Sequence, residues 1–122
     1  MDKKKILIVD DEKDLVRVVT ARLESAGYEV IAAYDGLEGL EKARSEKPDL
    51  IVLDVMLPNL DGYRICALLK KDNRYTKIPV IMFTARAGDK DMETGKEVGA
   101  DVYMTKPFEP QTLLEKIKEL AG

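Results

Sequence analysis

Short runs of four or five apolar residues recur along the chain, and between them apolar residues return every three or four positions. Lys5-Ile6-Leu7-Ile8-Val9 is the first run and predicts a strand that ends at Asp10-Asp11. Glu12 to Ala26 then carries Leu15, Val18, Val19, Leu23 and Ala26 at helical spacing, closed by Gly27. Tyr28 to Ala33 predicts a second strand and Asp35-Gly36 a turn. Leu37, Leu40 and Ala43 predict a second helix running toward Pro48. Leu50 to Leu53 is apolar without alternation, the pattern of a strand buried on both faces. Tyr63, Ile65, Cys66, Leu68 and Leu69 predict a helix over 61–72, and Pro79 to Phe83 a fourth strand ending at Thr84. Gly88 to Val98 predicts a helix with a thin apolar face, Met92 and Val98 with Gly95 between them. Asp101 to Met104 predicts a fifth strand running into Thr105-Lys106-Pro107. Leu113, Leu114, Ile117 and Leu120 then predict a last helix, opened by Glu109-Pro110.

Strands that alternate with helices through short connections predict an α/β fold, with a parallel sheet and right-handed crossovers. Helices are expected on both faces, with residues 1–122 forming a single domain. A composition of 45% hydrophobic and 35% charged residues belongs to a folded chain rather than a disordered one. The net charge of −3 gives no basic footprint, so direct nucleic-acid binding is not expected. Ile6 to Val9 is too short for a signal core or a membrane span. The single cysteine, Cys66, falls in a helical apolar pattern, excludes an intramolecular disulfide and points to a reducing, cytoplasmic compartment. The absence of histidine removes His-ligated zinc, Ser-His and Cys-His catalysis, and a phosphohistidine-carrier role.

Chemistry gathers where the strands stop. The first strand ends at Asp10 and Asp11, the third at Asp54, the fourth at Thr84, and the fifth leads to Lys106. In a parallel sheet these ends share one edge, where ligands of open α/β sheets bind. Carboxylates crowded together repel unless a cation compensates them, and hard oxygen donors favour Mg²⁺ over softer metals. A metal, an ammonium and a hydroxyl beside a carboxylate suit an incoming phosphoryl group.

These residues fall within motifs: Ile8-Val9-Asp10-Asp11, Leu53-Asp54-Val55-Met56-Leu57-Pro58 with Asp61-Gly62, Phe83-Thr84-Ala85, Gly99-Ala100-Asp101 and Lys106-Pro107-Phe108. Over essentially its full length the chain resembles the receiver domains of two-component response regulators. The resemblance implies a flavodoxin-like, doubly wound five-stranded sheet in the order 2-1-3-4-5. It implies that Asp54 accepts a phosphoryl group from a phosphohistidine on a sensor histidine kinase. It also implies that Asp11, Asp54 and the backbone carbonyl of Met56 hold Mg²⁺, with Asp10 contacting it through water. Lys106 would pair with Asp54 and then with the phosphoryl oxygens, across a cis Lys106-Pro107 bond. Thr84 and Tyr103 would act as the switch that alters the face of helix four, strand five and helix five for a downstream protein target. Such a domain is a signalling phosphoacceptor that catalyses only its own phosphorylation and dephosphorylation, as a monomer or a phosphorylation-dependent dimer. The apolar stripe of the first helix has Val16 and Val18 flanking a core line of Leu15, Val19 and Leu23. It is wider than one sheet face requires, so a partly exposed Val18 becomes a candidate kinase contact.

Three other functions compete. A haloacid-dehalogenase-like aspartyl-phosphate phosphohydrolase needs a second acid two residues after the nucleophile, where this chain has Met56. A flavodoxin-like FMN carrier needs a Ser/Thr/Gly-rich phosphate loop after the first strand, where Asp10-Asp11-Glu12 stands instead. A phosphorylation-independent interaction module would not require the full set of active-site residues present here.

Overall fold

The computed structural model describes residues 3–86 and 88–121. The single-domain expectation over 1–122 also takes in residues 1, 2, 87 and 122, which lie outside that range. The elements run β1 (Lys5–Val9), α1 (Lys13–Ser25), β2 (Glu29–Ala33), α2 (Gly36–Glu46), β3 (Leu50–Leu53), α3 (Gly62–Lys70), β4 (Val80–Thr84), α4 (Asp89–Glu97), β5 (Val102–Thr105) and α5 (Pro110–Ala121). All strand pairs are parallel, and the order across the sheet is β2-β1-β3-β4-β5. This is the flavodoxin-like arrangement that the resemblance implied.

The uninterrupted apolar runs follow from burial on both faces. Side chains of a strand alternate between faces. Ile6 and Ile8, Leu50 and Val52, and Ile81 and Phe83 accordingly enter one core, against α1 and α5. Leu7 and Val9, Ile51 and Leu53, and Val80 and Met82 enter a second core on the opposite face, against α2 and α3. β5, at the sheet edge, is only half-buried along its length.

Two local expectations are corrected. Asp35-Gly36 is not a free turn. Asp35 is the N-cap of α2, its carboxylate accepting the Glu38 N–H at 2.8 Å, and Gly36 is the first helical residue. Gly36 lies so close to the Leu60 carbonyl that an added Cβ would stand 1.8 Å from its oxygen. In α1 the buried line is Val16, Val19 and Leu23, with Leu15 only partly covered, so the helix is rotated slightly from the expected face. Val18 is 59% exposed.

The switch in winding direction fixes where the site lies. From β1 the chain crosses to β2 on one side and then returns to β3 on the other. The connections leaving the tips of β1 and β3 therefore diverge and open a crevice between them. Asp10 and Asp54 stand at those two tips, and the ladder carries on into them: the Asp54 N–H donates to the Val9 carbonyl at 3.0 Å.

Candidate functional site

Asp10 is fully buried and Asp54 is 4% exposed, so both carboxylates are held out of bulk water. One oxygen of Asp54, Oδ1, accepts the Met56 N–H at 3.2 Å. The other, Oδ2, lies 3.2 Å from the Lys106 ammonium. Behind Asp54 the first turn of α3 presses on the main chain. The Gly62 N–H donates to the Val55 carbonyl at 2.9 Å, and a Cβ on Gly62 would stand 2.1 Å from the Asp54 carbonyl oxygen. Only glycine allows α3 to begin this close to the acid.

Lys106 reaches the site from the end of β5. Its N–H donates to the Thr84 carbonyl at 2.8 Å, and the Lys106-Pro107 peptide is cis. The ammonium passes 5.1 Å from the centre of the Phe83 ring, which packs edge-on against Phe108. It then donates to Asp10 Oδ2 and Glu12 Oε1, each at 2.8 Å, as well as to Asp54. Burial works against the charge on Lys106, yet the Asp10 and Glu12 carboxylates and the Asp54 charge outweigh it and push the ammonium far above the usual lysine range. For Asp10 burial dominates and raises its pKa, and the nearby Asp54 charge adds to the rise. Lys106 and the Glu12 N–H oppose it without cancelling it.

Carboxylate oxygens of Asp10, Glu12 and Asp54 lie within 4.8 Å of one another around this single ammonium. Three carboxylates against one ammonium leave the pocket under-compensated, and every donor is a hard oxygen. That donor set fits a small divalent cation. Asp11 stands outside this cluster. It is exposed, and lines a cavity at the mouth of the site together with Met56, Tyr63 and Arg86. Glu12 was missed as a site residue. It is the N-cap of α1, but its side chain makes no cap hydrogen bond and turns to Lys106 instead. The acidic run Asp10-Asp11-Glu12 was its only signal in the sequence.

Thr84 is fully buried at the tip of β4, and its hydroxyl accepts the Arg86 N–H at 3.4 Å. Tyr103 is half-buried on β5, and its hydroxyl donates to the Arg86 carbonyl at 2.9 Å. A second phenol joins it, unmarked by the sequence pattern, which gave Tyr63 only an apolar role. The two hydroxyl oxygens are 3.1 Å apart, and Tyr63 also donates to the Asp91 carbonyl at 2.9 Å. Burial, then the Tyr63 hydroxyl, raises the Tyr103 pKa well beyond the ordinary phenol range, so Tyr103 keeps its proton. Cys66 is buried, its pKa raised to about 11 chiefly by that burial, as befits a core thiol rather than a nucleophile.

No helix among the described residues is long and apolar enough to cross a membrane. Residues 6–118 match the family model described as the response regulator receiver domain. The alkaline phosphatase synthesis transcriptional regulatory protein PhoP of Bacillus subtilis (strain 168) is 50% identical over 117 residues, covering 96% of this chain and 48% of that protein. The chain thus spans about half the length of the curated relatives it matches. Among solved structures, the CheY-like receiver domain protein of Methanospirillum hungatei JF-1 superposes with a TM-score of 0.91 at 36% identity, covering 97% of this chain and 93% of that one. Chemotaxis protein CheY4 of Vibrio cholerae gives a TM-score of 0.90 at 34% identity, with 98% and 99% covered. With its sheet order, its buried acids and its strand-end lysine, this chain belongs to the family of response regulator receiver domains.

Proposed function

We propose that this chain is a single receiver domain that takes a phosphoryl group from a sensor histidine kinase onto Asp54. The observation that carries the reading is the setting of the Asp54 carboxylate: buried at the tip of β3, with Oδ1 on the Met56 N–H and Oδ2 beside the Lys106 ammonium. In the transfer an Asp54 oxygen–phosphorus bond forms as the donor's nitrogen–phosphorus bond breaks. Asp11, Asp54 and the Met56 carbonyl would hold Mg²⁺, with Asp10 acting through water. The under-compensated acids and the shared cavity of Asp11 and Met56 support that assignment. When bound, the ion offsets negative charge on the incoming phosphoryl oxygens.

Lys106 is already in the pocket, its ammonium on Asp54 at 3.2 Å, so it is placed to pair with the phosphoryl oxygens as the group arrives. Thr84, buried at the neighbouring strand tip, supplies a hydroxyl donor, and Tyr103 answers movement of its loop through the Arg86 carbonyl. The α4, β5 and α5 face is then the output surface toward a downstream protein, which the chain meets as a monomer or as a phosphorylation-dependent dimer. Incubation with acetyl phosphate and Mg²⁺, followed by intact mass, tests the assignment. The wild type gains one phosphoryl group and Asp54→Ala gains none. Equal labelling of Asp54→Ala would place the acceptor elsewhere.

A further inference from the structure

The hydroxyl cluster beyond the pocket holds more contacts than it has protons. Tyr63 and Tyr103 have one hydroxyl proton each, but their oxygens make three contacts: Tyr63 with the Asp91 carbonyl, Tyr103 with the Arg86 carbonyl, and the two with each other. At most two of the three contacts are hydrogen bonds at any moment. When both phenols donate to carbonyls, their oxygens meet at 3.1 Å with no proton between them. Rotating one hydroxyl relieves that contact and releases one carbonyl. Tyr63 releases Asp91, in the first turn of α4. Tyr103 releases Arg86, in the loop after Thr84.

We infer that Tyr63 is a positioning residue of the switch, its phenol tethering α4 by the Asp91 carbonyl and competing with the loop for the Tyr103 proton. The inference deepens the reading of α4 as part of the output surface and rests on it. Three observations make the tether matter. The sole residue that α4 buries is Gly95, so no large side chain anchors the helix in the core. The Arg86–Asp91 ion pair spans 3.6 Å between partly exposed side chains and holds little. Tyr63, finally, follows directly on Gly62, whose backbone abuts Asp54. The phenol therefore bridges the segment behind Asp54 and the helix of the proposed output face.

Amide hydrogen exchange by NMR on the unphosphorylated protein tests this with Tyr63→Phe and Tyr103→Phe. Tyr63→Phe speeds exchange across α4 by roughly three- to tenfold, the loss of one hydrogen bond, and leaves β1 and β3 amides unchanged. Tyr103→Phe does not speed α4 exchange, because the Tyr63 proton is then committed to Asp91. Simple loss of packing would speed exchange in both variants. Unchanged α4 exchange in Tyr63→Phe, acceleration that extends to β1 and β3, or equal acceleration in both variants would each overturn the inference. Acetyl-phosphate labelling runs alongside: a wild type that takes no label defeats the phosphoacceptor reading, while the exchange results still decide the role of Tyr63.

Discussion

Asp10 is ionised only at an electrostatic cost, since it is fully buried beside a second carboxylate. Its folded-state pKa lies above the ordinary 3.8, so the folded protein holds this proton more tightly than the unfolded chain does. The contribution to stability is therefore complete below 3.8 and is lost as pH rises through the folded value. Asp10→Asn removes the ionisation, and in metal-free buffer at neutral pH it should raise the melting temperature. The gain should shrink toward zero as the pH falls to 3.8. Thermal melts with a chelator across that range check it, and a variant no more stable than wild type at neutral pH contradicts it. At this scale the sequence was informative where an apolar run stops at a polar residue, which is how Asp10, Asp54, Thr84 and Lys106 stood out. Glu12 escaped because its position matters through a lysine far along the chain, and no local pattern encodes that contact.

At the scale of elements α4 is the least anchored. Gly95 lies where a Cβ would come within 2.6 Å of Tyr103 Cδ2 and 2.9 Å of Cε2. Helix propensity alone favours Gly95→Ala by about 1 kcal/mol. Forcing a methyl group into occupied space costs about 1–3 kcal/mol. The steric term wins, so Gly95→Ala should destabilise the protein by about 1 kcal/mol in urea titration and shift the Tyr103 ring resonances. A more stable variant with an unmoved ring would mean that the contact yields freely. Most element boundaries were legible to within a residue or two, because strand and helix periods differ sharply. The rotation of α1 was not, since Leu15, Val16, Val18 and Val19 are all apolar and several helix faces satisfy the pattern. Asp35-Gly36 misled because an Asp-Gly pair suits both a turn and a helix start. The deciding contact with Leu60 is tertiary.

Across the whole molecule the sheet divides the interior into two cores and gathers the functional groups at one edge. The alternation of elements predicted layers and parallel strands, but strand order came only with the family resemblance, because periodicity carries no information about neighbours. Beside the site, Val18 opens onto an apolar groove with Leu15, Pro107, Phe108 and Pro110. Val18→Asp should slow phosphoryl transfer from a sensor kinase by about tenfold or more, the cost of a charge in a buried contact. Labelling by acetyl phosphate, which needs no docking surface, should stay within about twofold of wild type. Equal slowing with both donors would mean that the substitution damages the fold rather than the docking.

The pocket is also assembled from remote pieces of chain. Lys106 meets Asp10 across a sequence separation of 96 residues and Asp54 across 52. A chain still emerging from the ribosome therefore presents its acids long before their counter-charge exists. Contacts between such distant segments form late in folding, once the intervening loops have been closed. The acidic pocket and the ammonium that compensates it are thus completed together, only once β5 has docked at the sheet edge.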